Sequence, residues 1–312
     1  MTELANGLPL AAVSATEKAA DVETPFQRFL SGYCESKVAI GAFFGFLVVL
    51  FLALACPWIS PTNPYDLMQV DIMENRLPPG SARYSDGMIY WLGTDGQGRD
   101  MLSGIFYGLR TSLFVGAMSG VIALMLGTTV GLTAAYFGGR VDTVIMRIVD
   151  LQLSFPTILV ALMLLAILGQ GVDKIIIALV TVQWAYYART IRSQALIERR
   201  REYIEAAQCL ALGHRRIVFR HLLPNCMPPL IVVGTVQVAH AIALEATLSF
   251  LGLGLPPTEP SLGLLIANGF DYMLSGRYWI SFYPGVALLI AIATINLMGD
   301  QLRDVLNPRL QK

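Results

Sequence analysis

The chain has 312 residues, 55% of them apolar and 14% charged, with a mean hydropathy of +0.59, which is too oily for an ordinary soluble domain of this length. Its 22 basic residues balance its 22 acidic ones, so no overall field directs it to nucleic acid or another polyanion. The information lies in where the charges stand.

Residues 1–37 lack both the basic start and the apolar run of a secretory leader, so they read as an uncleaved cytoplasmic segment. A membrane span needs about 20 predominantly apolar residues. Six stretches qualify: 38–59, 108–136, 146–169, 173–191, 227–252 and 279–299. Between the first two, residues 60–107 are rich in proline, glycine and acidic residues and read as a turn-rich external segment packed on the spans. Within it, Asp95, Arg99 and Asp100 of "GTDGQGRD" form a compact cluster between glycine turns, either a contact for an outside partner or a loop that satisfies itself.

In the second span Gly116, Gly120, Gly127 and Gly131 form a stripe that lets helices approach closely, and packing within the chain is its simplest use. Asp142, Arg147 and Asp150 flank the third span as topology anchors, Arg147 and Asp150 being helix neighbours. Gln183 and Trp184 interrupt the fourth span, and Arg189 and Arg192 stand at its end.

The loop that follows, 199–224, carries Arg199, Arg200, Arg201, Arg215, Arg216 and Arg220 and so stays out of the lipid. Tyr203, Ala207 and Leu210 at i, i+4 and i+7 give it a first short helix with one apolar face. Gly213 breaks the run, and a second short helix ends before Pro224, with Pro228 and Pro229 opening the fifth span. A surface-lying helix pair of this kind, with the small Ala206 and Ala207 behind Glu205, suits docking into a groove on a cytoplasmic partner.

Glu245 in the fifth span is an intramembrane carboxylate, hence a candidate for the translocation path or for a pairing with a helix end. His240, five residues earlier, lies too far round the helix to share a metal with it. Residues 253–278, opening with "GLGLPPTEPSLG", form a second external segment that carries a short helix.

Lysine and arginine set the orientation. With the N-terminus inside, the inner pieces hold 16 of them and the outer pieces 6, and the reverse topology inverts that ratio. The expected fold is an all-α membrane bundle of six transmembrane helices, both termini inside, with a cytoplasmic helix pair between helices 4 and 5. No G-x-x-x-x-G-K-[ST] loop, H-E-x-x-H helix or nucleophile and base pair occurs, so no catalytic residue, metal ligand or cofactor is assigned to this chain. The four cysteines form no C-x-x-C pair.

The triplet Glu205–Ala206–Ala207, with Leu223 and then Pro224 nineteen positions after Glu205, resembles the EAA loop of ABC importer permeases. "FRHLLPN" (219–225) is similar to the peptide-transport subgroup, in which His221 replaces the usual isoleucine, while Ala211 stands where that family has a glycine and Gly213 is expected to supply the turn. "WLGTDGQGRDMLSGIFYGLRTSL" (91–113), "YFGGRVDTVIMRIVDLQLSFPTIL" (136–159), "EATLSFLGLGL" (245–255) and "NLMGDQLRDVLNPRL" (296–310) resemble the second permease of dipeptide, oligopeptide and nickel importers.

The resemblance implies a multi-pass subunit of the bacterial inner membrane beside a second homologous permease. It further implies two cytoplasmic ATPase subunits that hold ATP and Mg, and a periplasmic substrate-binding protein. Coupling to the ATPases would involve Glu205, Ala206, Ala207, Ala211, Gly213, His221, Leu223 and Pro224. The Asp95, Arg99 and Asp100 cluster would meet the binding protein or the neighbouring permease. Di- or oligopeptides are the expected cargo, with nickel, glutathione-like and opine-like compounds as alternatives. A self-sufficient carrier or channel is the rival class, disfavoured by sparse intramembrane charge and the lack of obvious inverted halves.

Overall fold

A computed structural model describes residues 25–306; most of the N-terminal segment and the end of the 296–310 motif lie outside it. The described chain is helical: α1 (Pro25–Cys34), α2 (Lys37–Ile59), α3 (Met101–Phe137), α4 (Gly139–Ser154), α5 (Thr157–Leu168), α6 (Val172–Glu198), α7 (Glu202–Cys209), α8 (His214–Arg216), α9 (Leu223–Phe250), α10 (Leu262–Phe270) and α11 (Trp279–Leu306). A two-stranded antiparallel hairpin, β1 (Ser81–Ala82) and β2 (Ile89–Tyr90), with Ser81 opposite Tyr90, sits in the segment between α2 and α3.

Among the described residues four stretches are long and apolar enough to cross a membrane: Lys37–Ile59, Met101–Phe137, His214–Phe250 and Trp279–Leu306. A fifth is broken. The run expected to be one span over 146–169 is α4 and α5, bent by 89° at Phe155 and Pro156, because proline excludes the helical conformation from the residue before it. α6 falls short in apolarity, yet its 27 residues reach about 40 Å at 1.5 Å per residue. Its polar Gln183 is turned inward and donates from Nε2 to the Gln237 carbonyl of α9 at 3.4 Å.

α3 starts earlier than the expected 108 because Asp100 caps it, accepting from the Ser103 N–H at 2.8 Å. Its glycine stripe serves the chain's own interior. A Cβ on Gly127 would meet the Trp184 carbonyl oxygen at 2.4 Å, one on Gly131 the Ala188 oxygen at 2.3 Å, and one on Gly116 the Ile242 side chain at 2.5 Å. α3 therefore lies backbone against backbone on α6 and close against α9.

The connections sort to two ends of the bundle. At one, Gln170 Nε2 donates to Gly252 O at 2.7 Å, the Gly171 N–H to Gly254 O at 3.4 Å and Trp279 Nε1 to Thr94 O at 3.4 Å. At the other, Arg199 Nη1 donates to Ala135 O at 3.0 Å and Gln301 Nε2 to Gly32 O at 3.2 Å. Asp142 and Asp150 also lie at this end, and their partners come from α6 rather than from Arg147: Arg192 grips Asp142 through two bonds of 2.6 Å, and Arg189 meets Asp150 at 2.5 Å.

Candidate functional site

At the end that holds Arg199, α7 and the helix after it form a hairpin with two unlike faces. Ile204 and Ala207 of α7, with Ile217 and Leu222 of the second arm, belong to the same core cluster as Leu132, Ile191 and Leu230 of the bundle. The opposite face is bare: Glu205 and Ala206 are exposed, Leu210 is 73% exposed and Phe219 65%. The buried set thus differs from the expected Tyr203, Ala207 and Leu210 stripe. Ala207, only 4% exposed, packs on its own bundle and offers no surface to a partner, whereas its neighbour Ala206 does.

Further links fix the hairpin. Arg199 satisfies one of the last carbonyls of α3 and lies over the Tyr136 ring at 5.9 Å, while the Tyr136 hydroxyl bonds His214 Nδ1. The Tyr203 hydroxyl donates to Glu198 at 2.7 Å; burial and that carboxylate push the phenol up to about 12.

The turn between the arms is built on Ala211. Its N–H donates to Gln208 O at 2.9 Å, that of Leu212 to Ala207 O at 3.2 Å, and Ala211 itself takes φ +54°. This is a Schellman termination with alanine in the left-handed place that glycine normally fills. Gly213, expected to supply the turn, has φ −60° and does not.

The second arm is not a separate helix. α8 passes through a π-helical segment, Ile217–Leu222, straight into α9, so Pro224 does not end it and Leu223 stays helical at φ −57°. A proline ring clashes with the carbonyl four residues back, here that of Arg220, and the wider π turn accommodates it. Pro228 and Pro229 accordingly sit inside α9 rather than at its opening. His221 and Leu223 are half-buried and Pro224 is exposed.

The other candidates turn inward. Glu245 is 0% exposed and accepts from Ser112 Oγ of α3 at 2.7 Å and from Ser249 Oγ at 2.8 Å, tying α9 to α3 instead of facing a path. His240 Nδ1 is buried with no hydrogen-bond partner among the described residues. Asp95, Arg99 and Asp100 are all buried, so they present no surface for a receptor. Asp95 accepts from the N–H groups of Gln97 and Arg99 at 2.8 and 2.9 Å, and Arg99 Nη1 reaches the Pro257 carbonyl at 3.2 Å, fastening the α2–α3 segment to the α9–α10 connection. Burial raises both carboxyls above the usual aspartate range.

A cavity of about 1010 Å³ runs between α2, α3, α9 and α11. Leu50, Leu124, Leu230, Val238 and Ile295 are among its apolar walls, and Tyr65, Tyr107, Arg110, Thr111 and Glu259 supply its polar groups. Neither Arg110 nor Glu259, the latter inside "GLGLPPTEPSLG", was singled out from the sequence. The available signal was a cation within an apolar run, at the start of the 108–136 stretch.

Residues 127–312 match the family described as "Binding-protein-dependent transport system inner membrane component", and residues 24–79 match the "N-terminal TM domain of oligopeptide transport permease C". The di/tripeptide transport system permease protein DppC of Pseudomonas aeruginosa (strain UCBPP-PA14) is 37% identical over 290 residues, 92% of this chain and 93% of that one. A putative peptide transport system permease protein of Brucella suis biovar 1 (strain 1330) is 40% identical over 265 residues, 85% of this chain and 86% of that one. Among solved structures, an inward-facing MetNI methionine ABC transporter matches in fold with TM-score 0.55 at 22% identity, covering 66% of this chain and 98% of that one.

Proposed function

Because the chain belongs to the family of binding-protein-dependent transport system inner membrane components, we infer that it is the permease subunit of an ATP-driven importer in a bacterial inner membrane. Its cargo is di- or oligopeptides, handed over by a soluble binding protein on the outer side. A second, homologous permease closes the path, and two ATPase subunits carrying ATP and Mg dock on the inner side. The observation that carries this reading is the hairpin's two faces: Ile204, Ala207, Ile217 and Leu222 lock it to the bundle, while Glu205, Ala206, Leu210 and Phe219 stand bare.

The continuity of the helix from His214 to Phe250 supplies a mechanism. Closure of the ATPases on nucleotide displaces the hairpin, and the same rigid rod carries Leu230, Gly234 and Val238 along the cavity wall. A push at the surface thus becomes a movement of the path, a two-state switch biased by the state that the nucleotide prefers.

The test is copurification with transport. A tagged chain should bring down ATPase subunits, and Glu205→Arg should abolish receptor-stimulated ATP hydrolysis and uptake while the permease still inserts. Uptake by the chain alone in liposomes, or full uptake in Glu205→Arg, would defeat the reading.

A further inference from the structure

The cavity holds two formal charges of opposite sign, Arg110 on α3 and Glu259 on the α9–α10 connection, both at the end of the bundle where the external segments meet. Among the described residues neither belongs to an ion pair. Glu259 Oε2 is buried and has no hydrogen-bond partner, although its own N–H is held by the Pro256 carbonyl at 3.0 Å. Arg110 is exposed along the cavity wall. A buried carboxylate oxygen with no hydrogen-bond partner is costly, and Glu259 keeps one at this mouth while Arg110 stands in the same cavity without closing a salt bridge to it.

Aromatic and hydroxyl groups line the same cavity. Tyr65 and Tyr107 pack edge to face with centroids 5.2 Å apart, and the Tyr65 hydroxyl lies 3.5 Å from Thr111 Oγ1. The two charges act on the same phenol: burial raises Tyr65, Glu259 raises it further and Arg110 opposes them. Their fields therefore converge on one small region of the mouth. Inward of it the walls are apolar, with nothing near Gly234 that would impose a side-chain shape.

We propose that Arg110 and Glu259 form an entry site that holds the two charged ends of a zwitterionic solute, Arg110 taking the carboxylate and Glu259 the ammonium. The apolar groove then receives whatever side chains lie between or beside those ends. A site of this kind selects for free termini and tolerates side-chain variety, because the charge-assisted bonds are directional and the apolar contacts are not. It rests on the permease reading above and adds which atoms of this subunit recognise the cargo.

The test uses the detergent-purified assembly of permeases and ATPases without binding protein, titrated calorimetrically with alanyl-phenylalanine, its N-acetyl derivative and its C-terminal amide. The wild type should bind the free peptide at least about tenfold better than either derivative, the loss expected when one charged hydrogen bond is removed. Arg110→Gln should erase the preference for the free carboxylate alone, Arg110→Lys should retain part of it, and Glu259→Gln should erase the preference for the free amine alone. Equal binding of all three peptides by the wild type, no binding of any, or unchanged preferences in both glutamine variants would overturn the proposal. Melting curves of each variant confirm that the assembly is intact. Receptor-stimulated ATP hydrolysis is followed in parallel: its presence with no terminal preference sinks the entry site alone, and its absence in the wild type sinks the permease reading.

Discussion

Ala211 is where local chemistry and backbone geometry disagree most openly. An L-residue in the left-handed region costs about 1–2 kcal/mol, and the turn is retained because Leu212 and Ala207 pack beneath it. Ala211→Gly removes that cost and gives back part of it as unfolded-chain entropy, so the assembly should gain up to about 1 kcal/mol in thermal or denaturant unfolding. Gly213→Ala, at φ −60° with open space around its Cβ, should be neutral or slightly stabilising. A drop on Ala211→Gly would show that the turn is not strained as described. Asp95 and Asp100 give a second residue-scale expectation. Burial raises both above 3.8, so the folded loop binds their protons more tightly than the unfolded chain does. The stabilisation that this provides is complete below the ordinary aspartate value and is lost as pH rises through the raised folded values. Proteolysis of the α2–α3 segment should slow as pH is lowered from neutral, with a flatter dependence in Asp95→Asn; faster cleavage on acidification would contradict it. Sequence placed Glu205, Ala206 and Ala207 together in a docking loop, and the stripe expected through Tyr203, Ala207 and Leu210 differs from the buried one through Ile204 and Ala207 by a rotation that only the bundle decides.

At the level of elements, the helices with uniform apolar runs were legible to within a few residues, as α2 and α11 show at their N-terminal ends. What escaped was decided by partners or by backbone adjustments that composition does not encode. The 89° break at Phe155 was hidden inside a run whose apolar content looked continuous. The proline at 224 read as a stop, and the π segment before it turned the stop into a passage. The glycine stripe, by contrast, was readable because close approach needs small residues wherever it occurs, and its neighbours can now be named. Gly131→Val places side-chain atoms inside the Ala188 backbone and the Ile191 side chain, where nothing can yield. Overpacking of this kind costs about 1–3 kcal/mol or more, and the variant should melt well below wild type or fail to accumulate. Gly41→Val and Gly234→Val meet nothing within 4 Å of the new Cβ and should leave melting unchanged. Equal effects at Gly131 and Gly41 would refute the backbone contact between α3 and α6.

For the whole molecule the governing feature is that one continuous helix joins an exposed surface to the wall of the cavity. Force applied at one end of His214–Phe250 appears at the other only if the hairpin is held to the bundle, and Ile204, Ala207, Ile217 and Leu222 hold it. Two adjacent alanines separate the bare face from the packed one. Ala206→Trp adds bulk to the bare face, so the permease should keep its melting temperature while copurifying ATPase falls sharply. Ala207→Trp forces an indole into the cluster around Leu132, Ile191 and Leu222, so the permease itself should lose about 1–3 kcal/mol before any partner is considered. Measuring melting of the isolated permease and ATPase recovery for both variants distinguishes the two faces. If the Ala207 variant is as stable as wild type, or if the Ala206 variant still recovers a full complement of ATPase, then the hairpin's inner and outer faces have been assigned the wrong way round. The route from surface to cavity would then have to run through α6 and Arg199 instead.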